Sequence, residues 1–114
     1  MHRDRTADKA TAKLRLKEME RVKTLLSRAG ITLRDVDREY NLPTGVAGRT
    51  LVEPNIKGER AIAAALKTRP HLLWRSRYHS DASRKTPQPK VNYERLPTMA
   101  ERRAEAASAQ PEAA

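Results

Sequence analysis

The sequence predicts an all-α domain, a compact bundle of about five helices followed by a mostly disordered C-terminal tail. Two observations lead to this fold class. Apolar residues recur at intervals of three or four and do not alternate over any strand-length stretch. Residues that cap or end helices interrupt this pattern repeatedly, which divides it into five helical segments with no strand. The 114 residues allow about one small domain.

The first predicted helix is long and basic and covers residues 13–28. Gly30 ends it. The second helix opens at Thr32, whose hydroxyl can cap the backbone, while Asp35 stands where a capping-box acid reaches back. It runs to Tyr40. The apolar stripe of the first helix consists of Leu16, Met19, Val22, Leu26 and Ala29.

A tight turn is predicted after the second helix. Asn41 tolerates a left-handed backbone, and Leu42 can bury its apolar side chain in the turn. Pro43 has a fixed φ, and Thr44 can cap the start of the next helix. A short third helix therefore runs from Thr44 to about residue 51.

Two further helices complete the predicted bundle. Asn55 caps a fourth helix over residues 56–67, and Pro70 suits the first turn of a last short helix. Trp74 is the single tryptophan of a chain without phenylalanine, so we expect it to be the largest core side chain. The buried face of the fourth helix is predicted to be Ala61, Ile62, Ala65 and Leu66.

The chain is predicted to divide near residue 79. Most of the basic excess lies before that point, and large apolar residues become sparse after it. We therefore expect a flexible N-terminus at residues 1–11, a folded domain at 12–79 and a mostly disordered tail at 80–114. A capping box of Thr98 and Glu101 gives that tail a possible short helix at residues 98–109.

Composition limits the possible functions. Twenty-four Lys and Arg against 14 Asp and Glu leave a formal charge of +10, which favours polyanionic partners. Cysteine is absent, and the three histidines lack metal-ligand spacing, so no metal is expected. No signal peptide, membrane span, catalytic motif or phosphate loop is evident. The expectation is a cytoplasmic, nucleoid-associated protein that is not an enzyme and has no cofactor and no small-molecule substrate.

Two short helices joined by a tight turn in a basic domain predict a helix-turn-helix, whose second helix enters the major groove of double-stranded DNA. Packing of the motif requires Val36 and Tyr40 to meet Leu42 in the turn and Ala47 and Leu51 beyond it.

The outward side of the third helix is predicted to contact DNA. Arg49 is the best base-reading candidate, because a bidentate Arg to guanine is the commonest specific contact. Gly45 and Gly48 would let the backbone approach the DNA closely, although both glycines weaken the helix. Thr44 is favoured as a cap over a base reader, and Arg34 and Lys57 are candidate phosphate contacts. The candidate DNA-binding residues are Thr32, Arg34, Pro43, Thr44, Gly45, Gly48, Arg49, Lys57 and Arg60.

Two segments resemble the Ner-like DNA-binding proteins, the regulators typified by the Ner repressor of Mu-like transposable phages and its bacterial relatives. They are GERAIAAALKTRPHLLWRSRY, residues 58–78, and ITLRDVDREYNLPTGVAGRTL, residues 31–51. The resemblance implies a λ-repressor-like fold, sequence-specific duplex binding and control of transcription by a bacterial or prophage protein. The basic first helix replaces the Asp-Trp-His segment that begins the domain in that family.

Several alternatives remain open from the sequence. The chain could be a protein-interaction adaptor of a phage replication or transposition complex, or a basic helical surface for RNA. Arg75 and Arg77 could contact phosphate or pair with Glu59, and Trp74 and Tyr78 are favoured as core over stacking platforms. Because one short helix reads few base pairs, two copies are expected to self-associate on DNA, at half-sites about one duplex turn apart.

Overall fold

The computed structural model describes residues 9–109, and these fold as helices joined by short turns. Two short 3-10 helices, Arg75–Arg77 and Lys90–Tyr93, accompany the α-helices. Within the described range no strand forms, and the β-structure consists of isolated bridge residues, among them Tyr78 and Arg84, which pair with each other in antiparallel fashion. The all-α prediction is confirmed. The α-helices are α1 (Lys9–Ala29), α2 (Leu33–Glu39), α3 (Val46–Thr50), α4 (Ile56–Ala65), α5 (Pro70–Leu73) and α6 (Met99–Ala109).

Helix α1 is longer than the sequence predicted, with 21 residues. It begins at Lys9 within the segment expected to be flexible, and residues 1–8 of that segment lie outside the described residues. Gly30 follows its last residue at a φ of 71°, as a helix-ending glycine does. Ala29 is exposed, contrary to the predicted stripe, since the packed face is shifted toward the N-terminus. That face buries Ala12, Arg15, Glu18, Val22 and Leu26.

The core forms where α1 crosses the other helices. Trp74 and Ile62 are fully buried at its centre, as are Val22 and Val36, so the predicted core role of Trp74 is confirmed. On α4, Ala63 is buried with Ala61 and Ile62, while Ala65 and Leu66 are half-buried against the same cluster. The remaining members of the core are Leu26, Ala47, Leu51 and Leu73.

Helix α2 begins as the sequence predicts. The Thr32 hydroxyl accepts from the Asp35 N–H at 3.0 Å, and the Asp35 carboxylate accepts from the Thr32 N–H at 2.9 Å. These hydrogen bonds to Thr32 lower the pKa of Asp35 below its ordinary value. Tyr40 is a correction: it lies beyond the helix, with φ of −103° and ψ of 14°, and is exposed. Leu42 packs against the core from the turn instead.

The start of α3 is a second correction. The N-cap is Gly45, at a φ of 95°, and not Thr44. A turn closed by the Val46 N–H on the Pro43 carbonyl at 3.1 Å moves the N-cap one residue along the chain. Gly45 suits this position because a left-handed backbone strains residues that carry a Cβ.

Helix α4 carries the predicted cap and packs very closely on α3. The Asn55 side chain accepts from the Gly58 N–H at 2.9 Å. A Cβ at Gly58 would overlap the hydroxyl of Thr50, which is buried on α3. The helix ends at Ala65, earlier than predicted, and Lys67 follows at a φ of 57°.

A buried carboxylate joins α4 to the segment after α5. Glu59 has no exposed surface and accepts from Arg77 Nη1 at 3.2 Å, from the Tyr78 hydroxyl at 2.8 Å and from Arg84 Nε at 3.1 Å. The Arg77 guanidinium also lies 4.9 Å from the Trp74 ring centroid. We call Glu59, Arg77, Tyr78 and Arg84 the Glu59 cluster.

Residues beyond 79 contact the helical domain, which differs from the expectation of a mostly disordered tail there. Asn92 is buried and its side-chain amide donates to the Ser76 carbonyl at 3.0 Å. Polar pairing rather than apolar area holds this segment, which is why hydrophobic patterning did not predict it. Helix α6 follows Thr98, and residues 110–114 lie outside the described residues. The division of the chain at residue 79 stays a prediction.

Candidate nucleic-acid interface

The exposed side of α3 is the centre of the candidate interface. Ala47 and Thr50 are buried on the opposite side, so α3 rests on the domain by that face. Arg49 points away from the core, with its side chain 75% exposed. Its nearest acidic partner is Glu53, whose carboxylate lies 3.8 Å from Arg49 Nε. An ion pair this exposed contributes little to stability, so the guanidinium can rearrange toward a ligand.

Gly48 lies on α3 directly before Arg49, and the protein leaves open space beside it. A Cβ built there meets no atom within 4 Å. Packing within the domain therefore does not require glycine at this position. The expected close approach of a DNA backbone at Gly48 stays a prediction.

The N-terminal end of α3 is held by a side chain that the sequence reasoning missed. Asp37 of α2 is buried, and its carboxylate accepts from the Gly45 N–H at 2.7 Å and from the Ala47 N–H at 2.8 Å. This carboxylate takes the capping role that had been given to Thr44, whose side chain is exposed. The missed signal was an acid next to Val36, on the apolar side of a short helix.

The other candidates lie on helices that contact α3. Helices α2, α3 and α4 all pack on one another. Arg34 is on the first turn of α2, and Lys57 and Arg60 are on the first half of α4; all three are exposed. Their roles as DNA contacts stay predictions. Thr32, Pro43, Thr44 and Gly45 are also exposed, and Gly48 is half-buried.

The structure decides the alternatives left open for Arg77 and Trp74, while a phosphate contact of Arg75 stays a prediction. Arg77 pairs with Glu59 inside the protein, whereas Arg75 is exposed. Trp74 is core, so it offers no stacking surface. Burial and the hydrogen bond to Glu59 raise the pKa of Tyr78 to about 12, which keeps its hydroxyl protonated as a donor.

A small hairpin extends from this segment. The Tyr78–Arg84 bridge is flanked by a hydrogen bond of 2.7 Å from the His79 N–H to the Ser83 carbonyl and by one of 3.0 Å from the Lys85 N–H to the Arg77 carbonyl. The hairpin tip, residues 79–83, is exposed.

The described residues show neither of two other kinds of functional feature. Between residues 9 and 109 no group of three or more His, Asp or Glu side chains is arranged to hold a metal ion. In the same part of the chain, no helix has the length and apolar character that crossing a membrane requires.

Comparison with known proteins agrees with this geometry. The sequence profile of the winged helix-turn-helix DNA-binding family matches residues 17–90, more than half of the chain. The matched region includes α2, α3, α4 and the hairpin. No curated protein and no solved structure is significantly similar to the chain. An exposed arginine on the second helix of a helix-turn-helix and the family match over these elements lead to one conclusion: the chain belongs to the winged helix-turn-helix DNA-binding family.

Proposed function

We propose that the protein is a sequence-specific, double-stranded DNA-binding transcriptional regulator. The observation that carries this proposal is the exposure of Arg49 on α3, beside the open space at Gly48. A guanidinium presented from a helix that fits the major groove can donate to guanine O6 and N7 together. The family to which the chain belongs supports DNA as the partner.

We assign the finer roles as follows. Arg49 reads a base, and Arg34, Lys57 and Arg60 contact phosphates on either side of it. Thr32 and Thr44 contact the backbone of the DNA, and Pro43 and Gly45 shape the approach. The resemblance of residues 31–51 and 58–78 to Ner-like proteins supports a repressor of bacterial or prophage origin, acting on the nucleoid.

Selection of bound sequences from a random duplex pool tests the proposal. We expect an enriched motif, present as two half-sites about one duplex turn apart if two copies bind together. Titration of that duplex at several salt concentrations should give a log–log slope of about −0.9 per neutralised phosphate.

Three variants of the full chain assign the contacts. Arg49→Ala should cost about 1–3 kcal/mol of discrimination between the selected and a random duplex. Lys57→Ala should weaken both duplexes by a similar factor and reduce the salt slope by about 1. Arg103→Ala, which removes the same charge from the exposed side of α6, is the matched control.

Two results contradict the proposal. If no motif is enriched, sequence-specific recognition is wrong. If Arg49→Ala keeps the wild-type ratio of affinities, the base-reading role of Arg49 is wrong. Duplex DNA that leaves the NMR amide signals of residues 44–49 unchanged, while a protein partner shifts them, would favour an interaction adaptor instead.

A further inference from the structure

Helix α3 is too short to be stable without contacts from other parts of the protein. It has five residues, one of which is Gly48, and its N-cap is a glycine without a capping side chain. Isolated helices shorter than about 12–15 residues are marginal in water, and glycine weakens them further. The orientation of Arg49 therefore depends on contacts that other parts of the protein make with α3.

The N-terminal end of α3 is fixed by Asp37. Both of its carboxylate oxygens are engaged, one by the Gly45 N–H and the other by the Ala47 N–H. Asp37 is itself part of α2, so these two hydrogen bonds set the angle between the helices of the motif. An anion at this end also has the sign that free helix N–H groups favour.

The turn after the C-terminal end of α3 is fixed by Arg15 of α1. Arg15 Nη2 donates to the Val52 carbonyl at 2.6 Å, and Nη1 donates to the carbonyls of Val91 and Glu94, both at 2.8 Å. The guanidinium is buried, and its planar fork spans these three carbonyls from a single side chain. It thereby joins α1, the turn after α3 and the segment at residues 90–94.

We propose that Asp37 and Arg15 are positioning residues for DNA recognition, holding α3 at both ends so that Arg49 is presented at a fixed angle. This inference rests on the proposed function. Both residues are buried, so neither touches the duplex. A bidentate contact requires positioning within about 0.5 Å, which these supports provide. Residues 90–94, far from α3 in the sequence, contribute to recognition by orienting Arg15.

The test compares affinities of the full chain for the selected duplex and for a random one. Asp37→Asn keeps one acceptor oxygen and loses the other, so the ratio of the two affinities should fall about tenfold. Arg15→Lys keeps the charge, but a compact ammonium lacks the planar fork whose two Nη atoms reach the Val52 carbonyl and the carbonyls of residues 90–94 separately, so the ratio should fall by a smaller factor. The salt slope on random duplex should stay unchanged, because no phosphate contact is lost.

The ratio of the two affinities distinguishes a loss of positioning from a loss of stability. Unfolding lowers the active fraction for both duplexes equally and leaves the ratio at its wild-type value. Glu39→Gln, which makes the same change of charge at an exposed position of α2, is the matched control and should keep the wild-type ratio. The NMR amide signals of Gly45 and Ala47 should shift in Asp37→Asn, while those of α4 remain in place.

The outcomes distinguish this inference from the proposed function. Wild-type protein without sequence preference overturns both. A wild-type preference that Arg49→Ala reduces, but that Asp37→Asn and Arg15→Lys leave unchanged, overturns the positioning roles alone. Should Asp37→Asn fail to fold, Arg15→Lys alone decides, because it retains the buried charge.

Discussion

The exposed side of α3 and the buried Glu59 cluster both depend on arginine, but they use it in opposite ways. Arg49 is mostly exposed, and its ion pair with Glu53 is long and solvated. Arg77 is 4% exposed, and Arg77 and Arg84 both bond to a carboxylate that has no exposed surface. The first arrangement is open to a ligand, whereas the second is closed within the protein.

This difference shows that the net charge of +10 overstates the charge available for binding. Arg15, Arg77 and Arg84 are engaged with carbonyl groups or with Glu59, inside the domain or at its edge. Their substitution should change stability or positioning, while substitution of Arg49 or Lys57 should change binding alone. Composition favours a polyanionic partner, but it does not show which of the cationic side chains are available to contact that partner.

The largest expected effect on stability is in the buried Glu59 cluster. Glu59→Gln leaves two guanidinium groups without their counter-charge, and breaking such a buried pair costs about 3–5 kcal/mol. Urea unfolding of the variant and of wild type measures this difference. An unfolding free energy within about 0.5 kcal/mol of wild type would show that the cluster does not stabilise the domain.

The titration of Glu59 should make the stability of the protein depend on pH. Burial raises the pKa of Glu59, but hydrogen bonds from Arg84, Tyr78 and the Asn55 N–H outweigh it and lower the pKa below the ordinary value. The stability that Glu59 contributes is therefore present above the unfolded-state pKa of about 4.3 and is lost as pH falls through the folded-state value. The difference between wild type and Glu59→Gln should shrink on acidification below roughly pH 4. A stability difference that grows on acidification would show that folding does not lower the pKa of Glu59.

A smaller effect is expected where α3 rests on α4. Gly58→Ala places a methyl group against Thr50, and overpacking of this kind costs about 1–3 kcal/mol. Thr50→Ala removes the overlapping hydroxyl, so the double variant should recover part of the loss. A double-mutant cycle of unfolding free energies measures the coupling between residues 50 and 58. Strictly additive values would show that the two residues are not in contact.

The smallest effect on stability is expected at Gly48, with the opposite sign. Gly48→Ala meets no neighbouring atom and improves helix propensity, so it should stabilise the fold by up to about 1 kcal/mol. If DNA approaches the backbone at this point, the same methyl group should weaken binding of the selected duplex. Thermal unfolding and DNA titration of one sample measure both, and unchanged affinity would contradict the close approach.

Local signals in the sequence predicted much of the fold. The capping residues Thr32 and Asn55, the helix-ending Gly30 and the first-turn Pro70 act within three or four positions of themselves, so the chain shows them directly. The exposure of Arg49 also followed from helical periodicity. Whether Arg49 reads a base does not follow from its exposure, and that role stays a prediction.

The features that sequence reasoning missed are polar contacts over long separations. Arg15 bonds to carbonyls as far away as Glu94, and Arg84 bonds to Glu59 in addition to Arg77, whose pairing with Glu59 the sequence had left open. Charged residues at such positions look like solvated ones in the sequence, because nothing local marks a buried partner. The error at Thr44 has the same origin, since Asp37 meets the amide groups that a local cap would have satisfied.

The hydrogen bonds of the Arg15 guanidinium also have a consequence for the order in which the protein folds during its synthesis. Arg15 leaves the ribosome early, but two of the carbonyls that orient it belong to Val91 and Glu94. A nascent chain that has exposed α1 to α5 and Trp74 can bury its apolar core while two of the three carbonyls that Arg15 bonds are still missing. The support that we propose Arg15 gives to α3 is therefore complete only after Glu94 has been translated.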